Sequence, residues 1–183
     1  DILTCAMGLD VHRDIIVACL VKGAVDAEPE AETRTFSTLI PEMQKLRDWV
    51  IESECRNIAM ESTGIYWQPI YEMLESCFDG EISILVVNAR HMKNVPGRKT
   101  DMKDAQWIAT LLRAGLLKGS FIPDKAFREL RHLTRYRKSV VHDITAQKNR
   151  IDKFLQSSGF RFTAFLSDTF GASGRNIKIG RAS

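Results

Sequence analysis

The amino-acid sequence predicts an α/β domain, a mixed five-stranded sheet flanked by helices, followed by a long helical extension. Three observations predict it. Three strand-like segments follow one another near the start of the chain, helical and strand-like apolar patterns then alternate, and residues 124–156 contain neither glycine nor proline.

Residues 4–11 and 15–21 are β-branched, apolar runs separated by the polar His12-Arg13-Asp14, which reads as a hairpin turn. Residues 33–37 alternate as a third strand. Pro41 stands where helices begin, and Met43, Leu46, Trp49 and Val50 recur at helical spacing up to Cys55. Residues 57–61 form a short strand, and Ser62-Thr63-Gly64 supplies turn and cap residues before the helical stripe of Tyr66, Ile70, Met73, Leu74 and Cys77. Gly80 ends that helix. Residues 81–88 are a nearly continuous apolar strand, expected to be buried on both faces. A basic loop with Pro96-Gly97 at its middle precedes a helix over 101–114, whose apolar face is Met102, Ala105, Ile108, Ala109 and Leu112 and whose terminator is Gly115. Consecutive strands suit an antiparallel meander, and strands joined through helices suit parallel crossovers. The order is that of the ribonuclease H fold.

Residues 1–115 are expected to form this domain and 116–175 a basic helical extension for nucleic-acid binding, dimerisation or both. Residues 176–183 read as a non-native or disordered tail. In the extension a heptad frame through Phe127, Leu130, Thr134, Arg137, Val141, Ile144, Lys148, Ile151 and Leu155 is apolar at six of nine positions. It suits a long helix or helical pair, either in a coiled coil broken by polar positions or lying on the domain's own sheet.

Hydrophobic residues make up 44% of the chain and charged ones 27%, ordinary values for a globular protein. No run is long and apolar enough to span a bilayer, and no signal-peptide pattern opens the chain, so a cytoplasmic bacterial setting without membrane contact is expected. Cys5, Cys19, Cys55 and Cys77 form no CxxC pair and read as buried thiols of a reducing compartment. The net charge of +3 conceals a partition: residues 1–89 carry 6 basic and 16 acidic residues, whereas 90–161 carry 17 basic and 6 acidic. Such a basic half fits a polyanion, or else a solvated helix surface. The candidate contacts are Arg90, Lys93, Arg98, Lys99, Arg131, Arg135, Arg137 and Lys138.

Acids inside otherwise apolar elements are informative, because burying an unpaired carboxylate is costly. Asp10 follows Met7-Gly8-Leu9 in the first strand, and Glu61 follows Ile58-Ala59-Met60 in the fourth. Asp101 and Asp104 lie three residues apart at the start of a helix. In this fold the first and fourth strands are neighbours, so the four acids are expected to converge and to hold Mg²⁺ or Mn²⁺ for phosphodiester chemistry. Taken singly, Asp10 suits a turn and Glu61 a helix cap. Asp14 reads as a turn residue and Asp124 as the cap of the long helix. His12, His91, His132 and His142 lack metal-ligand spacing. The Tyr66-Trp67 pair suits either core packing or base stacking.

The segments GLDVHRD (8–14), AMESTGIYWQP (59–69), VVNARHMKNVPGRKTDMKDAQWIA (86–109) and LSDTFGASGR (166–175) closely resemble the DEDD transposases of bacterial insertion sequences, a group related to the Piv site-specific invertases. The resemblance implies a RuvC-like domain in which Asp10, Glu61, Asp101 and Asp104 are the named D, E, D and D and bind divalent metal. It also implies DNA as substrate, a further C-terminal domain supplying a catalytic serine, and for several members guidance by a structured bridge RNA. Oligomerisation would run through the helical extension. Two alternatives use the same residues: a Holliday-junction-type nuclease, and a nucleic-acid-binding or dimerisation module inactive without the further domain. An actin-like nucleotide-binding protein shares the strand order, but its glycine-rich phosphate loops are missing from this sequence.

Overall fold

The computed structural model describes residues 2–24, 27–62, 64–88 and 104–179. They divide into two compact units, the chain boundary falling between Ile122 and Pro123. Strands β1 (Cys5–Val11), β2 (Ile15–Lys22) and β3 (Glu30–Ser37) lead into helix α1 (Ile40–Ser53), then β4 (Asn57–Glu61), α2 (Trp67–Phe78), β5 (Ser83–Val87) and α3 (Asp104–Arg113). The sheet order is β3-β2-β1-β4-β5. β1, β2 and β3 pair antiparallel, whereas β4 pairs parallel with both β1 and β5. This is the mixed sheet of a ribonuclease-H-like fold.

Alternation along β1 sends Met7, Leu9 and Val11 to one face and Ala6, Gly8 and Asp10 to the other. The first face carries the larger core, in which Met7, Leu9, Ile16, Ile58 and Met60 pack against Leu46, Trp49 and Val50 of α1 and Ile70 and Leu74 of α2. Each of these two helices ends on a residue in the left-handed conformation, Glu54 at φ 54° and Asp79 at φ 39°, which turns the chain into the next strand.

The second face is built for close approach. Ala6, Ala59 and Val87 meet Ile108 and Leu112 of α3, while Cys19 and Val21 meet Ala105 and Ala109. Over Gly8 the helix backbone touches the strand. A Cβ there would sit 2.5 Å from the Ala109 nitrogen and closer still to the Ala105 oxygen. At the other end of α3, the Leu3 N–H donates to the Arg113 carbonyl at 2.9 Å. The helix therefore runs antiparallel to β1, with its N-terminus at the end where β1 finishes.

One boundary differs from the sequence expectation. β3 begins at Glu30, three residues earlier than its alternation indicates, because its charged first half pairs with the inner strand β2. β5 lies at the edge of the sheet with an exposed start, and its apolar run is covered on both faces as expected, Ile84 and Val86 joining the larger core and Leu85 and Val87 the α3 side. The chain after α3 adds to the cover: Ser120 N–H donates to the Val86 carbonyl at 2.7 Å, and Gly119 rests on Leu85. The described part of the third helix starts at Asp104, with residues 101–103 outside the described set.

In the second unit α4 (Lys125–Ser157) is one continuous helix of 33 residues rather than a pair. Asp124 caps it, its Oδ1 accepting from Phe127 N–H at 3.0 Å. Of its heptad positions, Phe127, Leu130, Val141, Ile144 and Ile151 are exposed. A short 3₁₀ turn (Phe162–Ala164) and helix α5 (Ala172–Ile179) follow. Residues 176–179, the first four of the expected tail, are thus helical. Lys148 places its Nζ 5.4 Å from the centre of the Phe170 ring, joining α4 to the turn before α5.

Gly8→Ala is expected to destabilise the first unit by about 3 kcal/mol, since the neighbours of the new methyl are backbone atoms that cannot step aside. Urea unfolding of the variant against the parent measures it.

Candidate metal and nucleic-acid site

Asp10 and Glu61 lie at the C-terminal ends of β1 and β4, neighbouring parallel strands at the centre of the sheet. The last register pair between them is Leu9 with Met60, so the two acids are next in line and side by side. Asp10 shares its face with Ala6 and Gly8, and Glu61 shares its face with Ala59. Both therefore project on the side covered by α3. Asp104 is the first residue of that helix. Because Ala105 rests on Gly8, Asp104 reaches the same end of the sheet.

Electrostatics ties the three together. The Asp10 side chain is only 15% exposed. Burial pushes its carboxyl above the ordinary aspartate range, His12 opposes this through charge and a hydrogen bond, and Asp104 and Glu61 push it further up by repulsion. His12 Nε2 lies 3.1 Å from Asp10 Oδ2. No metal-ligand spacing marks His12 in the sequence and its ring is half-exposed, yet the turn after β1 brings it back onto Asp10, two residues earlier.

Among the described residues no group of three or more acidic, histidine or cysteine side chains is arranged so as to hold a metal ion. Asp101 lies outside the described residues, as do Arg90, Lys93, Arg98 and Lys99. The donors that can be placed are carboxylate oxygens, which suit a hard divalent cation such as Mg²⁺ or Mn²⁺, and the mutual repulsion felt at Asp10 is what such a cation relieves. The chemistry of the donor set fits the ion.

The remaining polar residues at this end hold the loops in place. Asp14 pairs with Arg13 at 2.9 Å, both exposed, and its carbonyl accepts the Thr38 N–H. The Thr38 hydroxyl donates to the Arg13 carbonyl at 2.9 Å, which pins the β1–β2 turn to the start of α1. Trp67 packs edge-on to Tyr71 at 5.8 Å, so of the aromatic pair it is the packing member, while Tyr66 is 38% exposed. Arg131, Arg135, Arg137 and Lys138 all lie on α4 and are exposed.

The family model of the IS110-type DEDD transposases, described as transposase, matches residues 7–159. The chain belongs to this family. The match spans β1 through the end of α4 and so includes Asp10, Glu61 and Asp104. A DEDD transposase is an enzyme of DNA recombination, and the ribonuclease-H-like sheet is the scaffold it uses here. No curated protein gives a significant match. Among solved structures the chain is similar to Thermus thermophilus RuvC, at 12% identity and a TM-score of 0.44 over 63% of this chain and 99% of that one. It is likewise similar to T. thermophilus RuvC in complex with a Holliday junction substrate, at 11% identity and a TM-score of 0.44, covering 64% and 100% of the two chains. A Fowlpox virus resolvase in complex with Holliday junction DNA matches at 7% identity and a TM-score of 0.43, covering 60% and 96%.

The raised Asp10 carboxyl has a consequence for stability. A group that binds its proton more tightly in the folded state than in the unfolded one costs stability as pH rises from the ordinary value of 3.8 through the raised one. Without divalent cations, Asp10→Asn is therefore expected to melt a few degrees higher than the parent at pH 7, and the gap should close at pH 3 to 4. Thermal unfolding in chelator across this range measures it; a variant less stable at neutral pH contradicts the raised Asp10 carboxyl.

Proposed function

We propose that this chain carries the metal-dependent DNA strand-cleavage domain of a DEDD transposase, with Asp10, Glu61, Asp101 and Asp104 as its metal-binding carboxylates. The observation that carries this reading is that the central strands β1 and β4 and the N-terminus of α3 deliver Asp10, Glu61 and Asp104 to one end of the sheet, close enough for both other acids to act on Asp10. Buried like charges are retained at a cost, and a polyvalent cation is the partner that compensates it.

Asp10, Glu61 and Asp104 would hold the ion together with Asp101. When bound, a pair of such ions supplies activation of the attacking oxygen and stabilisation of the leaving oxygen at a phosphodiester. The chain's own residues orient and position. His12 holds Asp10 by its Oδ2. Gly8 lets α3 come down far enough to bring Asp104 to the acids.

Nucleic acid would be gripped by the basic stretch of residues 90–161, with Arg131, Arg135, Arg137 and Lys138 on the exposed surface of α4 and Arg90, Lys93, Arg98 and Lys99 preceding α3 in the sequence. We place the catalytic unit in residues 1–115, with 116–175 as its basic, oligomer-forming extension. A bridge RNA fits the same basic surface, and strand exchange would draw its serine nucleophile from a further domain. A Holliday-junction nuclease would use the same acids with water alone.

Two measurements test the reading. Asp10→Asn should weaken Mn²⁺ binding by about tenfold or more in calorimetric titration, because it removes one charge and one strong oxygen ligand while keeping the shape. Unchanged affinity removes Asp10 from the site. Binding to duplex DNA should fall steeply with salt, at a log–log slope of about −0.9 per neutralised phosphate. Replacing Arg131, Arg135, Arg137 and Lys138 by Ala should flatten that slope, and binding that ignores both salt and these substitutions refutes the surface.

A further inference from the structure

Two cysteines come together at the end of the sheet opposite the acids. Cys5 opens β1, and Cys55 lies two residues before β4, its neighbour. Met7 pairs with Ile58, so continuing the register backwards sets Cys5 beside Arg56, adjacent to Cys55. Asn57 fastens both: its Nδ2 donates to the Cys5 carbonyl at 3.4 Å, and its own carbonyl accepts from the Cys55 thiol at 3.4 Å. Cys5 and Cys55 are thus diagonal neighbours on strands about 4.8 Å apart, which sets their Cα atoms about 6 Å from each other, inside the roughly 4.4–6.8 Å that a disulfide spans. Both sulfurs are thiols here.

The two thiols are unlike. Cys55 is 1% exposed and belongs to the core, whereas Cys5 is partly exposed and packs against that core. The neighbouring Cys55 thiol holds the Cys5 thiol down to about 7 against the opposing effect of burial, with help from the ammonium of Lys22, the register partner of Cys5 on β2. Cys5 in turn, together with burial, pushes the Cys55 thiol up. An accessible thiol that ionises near neutrality, backed by a protonated one within reach, is the arrangement of an attacking and a resolving cysteine. Next to Cys55 a cleft of about 360 Å³, lined also by Val50, Phe78 and Ile82, leaves the buried sulfur room to shift on bond formation.

We propose that Cys5 and Cys55 form a hydroperoxide-responsive dithiol, with Cys5 as the attacking thiolate and Cys55 as the resolving thiol. The Cys5 thiolate attacks one oxygen of hydrogen peroxide; an S–O bond forms, the O–O bond breaks, and the departing hydroxide takes a proton to become water. Cys5 is then a sulfenic acid. The Cys55 sulfur attacks the Cys5 sulfur, the S–S bond forms, the S–O bond breaks, and the leaving hydroxide accepts the Cys55 proton as a second water. The two thiols together lose two electrons, which the peroxide gains. The disulfide ties together the starts of β1 and β4, the strands whose far ends carry Asp10 and Glu61. This proposal stands apart from the cleavage reading and survives its failure.

The test exposes the full chain, reduced and in chelator, to hydrogen peroxide and maps the products by peptide mass spectrometry without reductant. The exposed thiol of Cys77 is removed by Cys77→Ser so that it does not cross-link chains. A linked peptide pair containing Cys5 and Cys55, lighter by two hydrogens and restored by dithiothreitol, is expected, with an unfolding temperature several degrees higher in the oxidised form. In Cys55→Ser, Cys5 should accumulate as a sulfenic acid that dimedone captures, while in Cys5→Ser the remaining Cys55 should stay reduced. Should either variant fail to fold, the peptide map of the Cys77→Ser chain decides alone. Both thiols intact after peroxide treatment, or oxidation of Cys55 ahead of Cys5, overturns the proposal.

Discussion

Helix α3 meets strand β1 at Gly8 with no side chain between the two backbones, and the placement of the acidic end depends on that contact. The small Ala105 and Ala109 pass over β2, where they meet Cys19 and Val21. Ile108 and Leu112 fill the neighbouring space above Ala6, Ala59 and Val87. Were the helix raised by the width of one methyl group, Asp104 would rise with it, away from Asp10 and Glu61. Small residues in this layer are therefore matters of the site as much as of packing.

The same contact explains why the acidic end is electrostatically unsettled. Burial is the main influence that raises the Asp10 carboxyl, the two other carboxylates add to it, and the histidine bonded to it offsets only part of the sum. A sheet chosen for stability alone would place apolar residues at those strand ends, as it does at the Met7, Leu9 and Met60 positions on the opposite face. Local cost of this kind is usual where charge is held ready for a ligand.

The second unit follows different rules. Its 33-residue helix buries Arg128 alone along its described length, and leaves Phe127, Leu130, Leu133, Tyr136 and Phe154 among its exposed residues. Arg128 donates to the Pro123 carbonyl at 2.7 Å, so even this buried guanidinium serves the start of the helix. A helix that is both basic and apolar on its surface draws its stability from local bonds, such as the Asp124 cap, and from the chain that follows it.

Much of the fold was legible in the residues. Period-two and helical repeats gave all five strands and the helices around them to within a few residues, because alternation of burial is imprinted directly on side-chain type. The acids Asp10 and Glu61 stood out for a related reason, being charges where the pattern called for apolar residues. Asp124 was readable as a cap from its place before a glycine-free run. What the sequence did not disclose lies between elements distant in the chain. That β5 lies at the sheet edge follows from its pairing with β4 alone, which leaves no periodic signal. That His12 bonds Asp10 depends on strand-end geometry, and that Cys5 meets Cys55 depends on the parallel register of β1 and β4. Above all, the reason for Gly8 is a helix backbone nearly a hundred residues away. A side-chain pattern records whether a residue is buried, but only the folded chain decides what it is buried against.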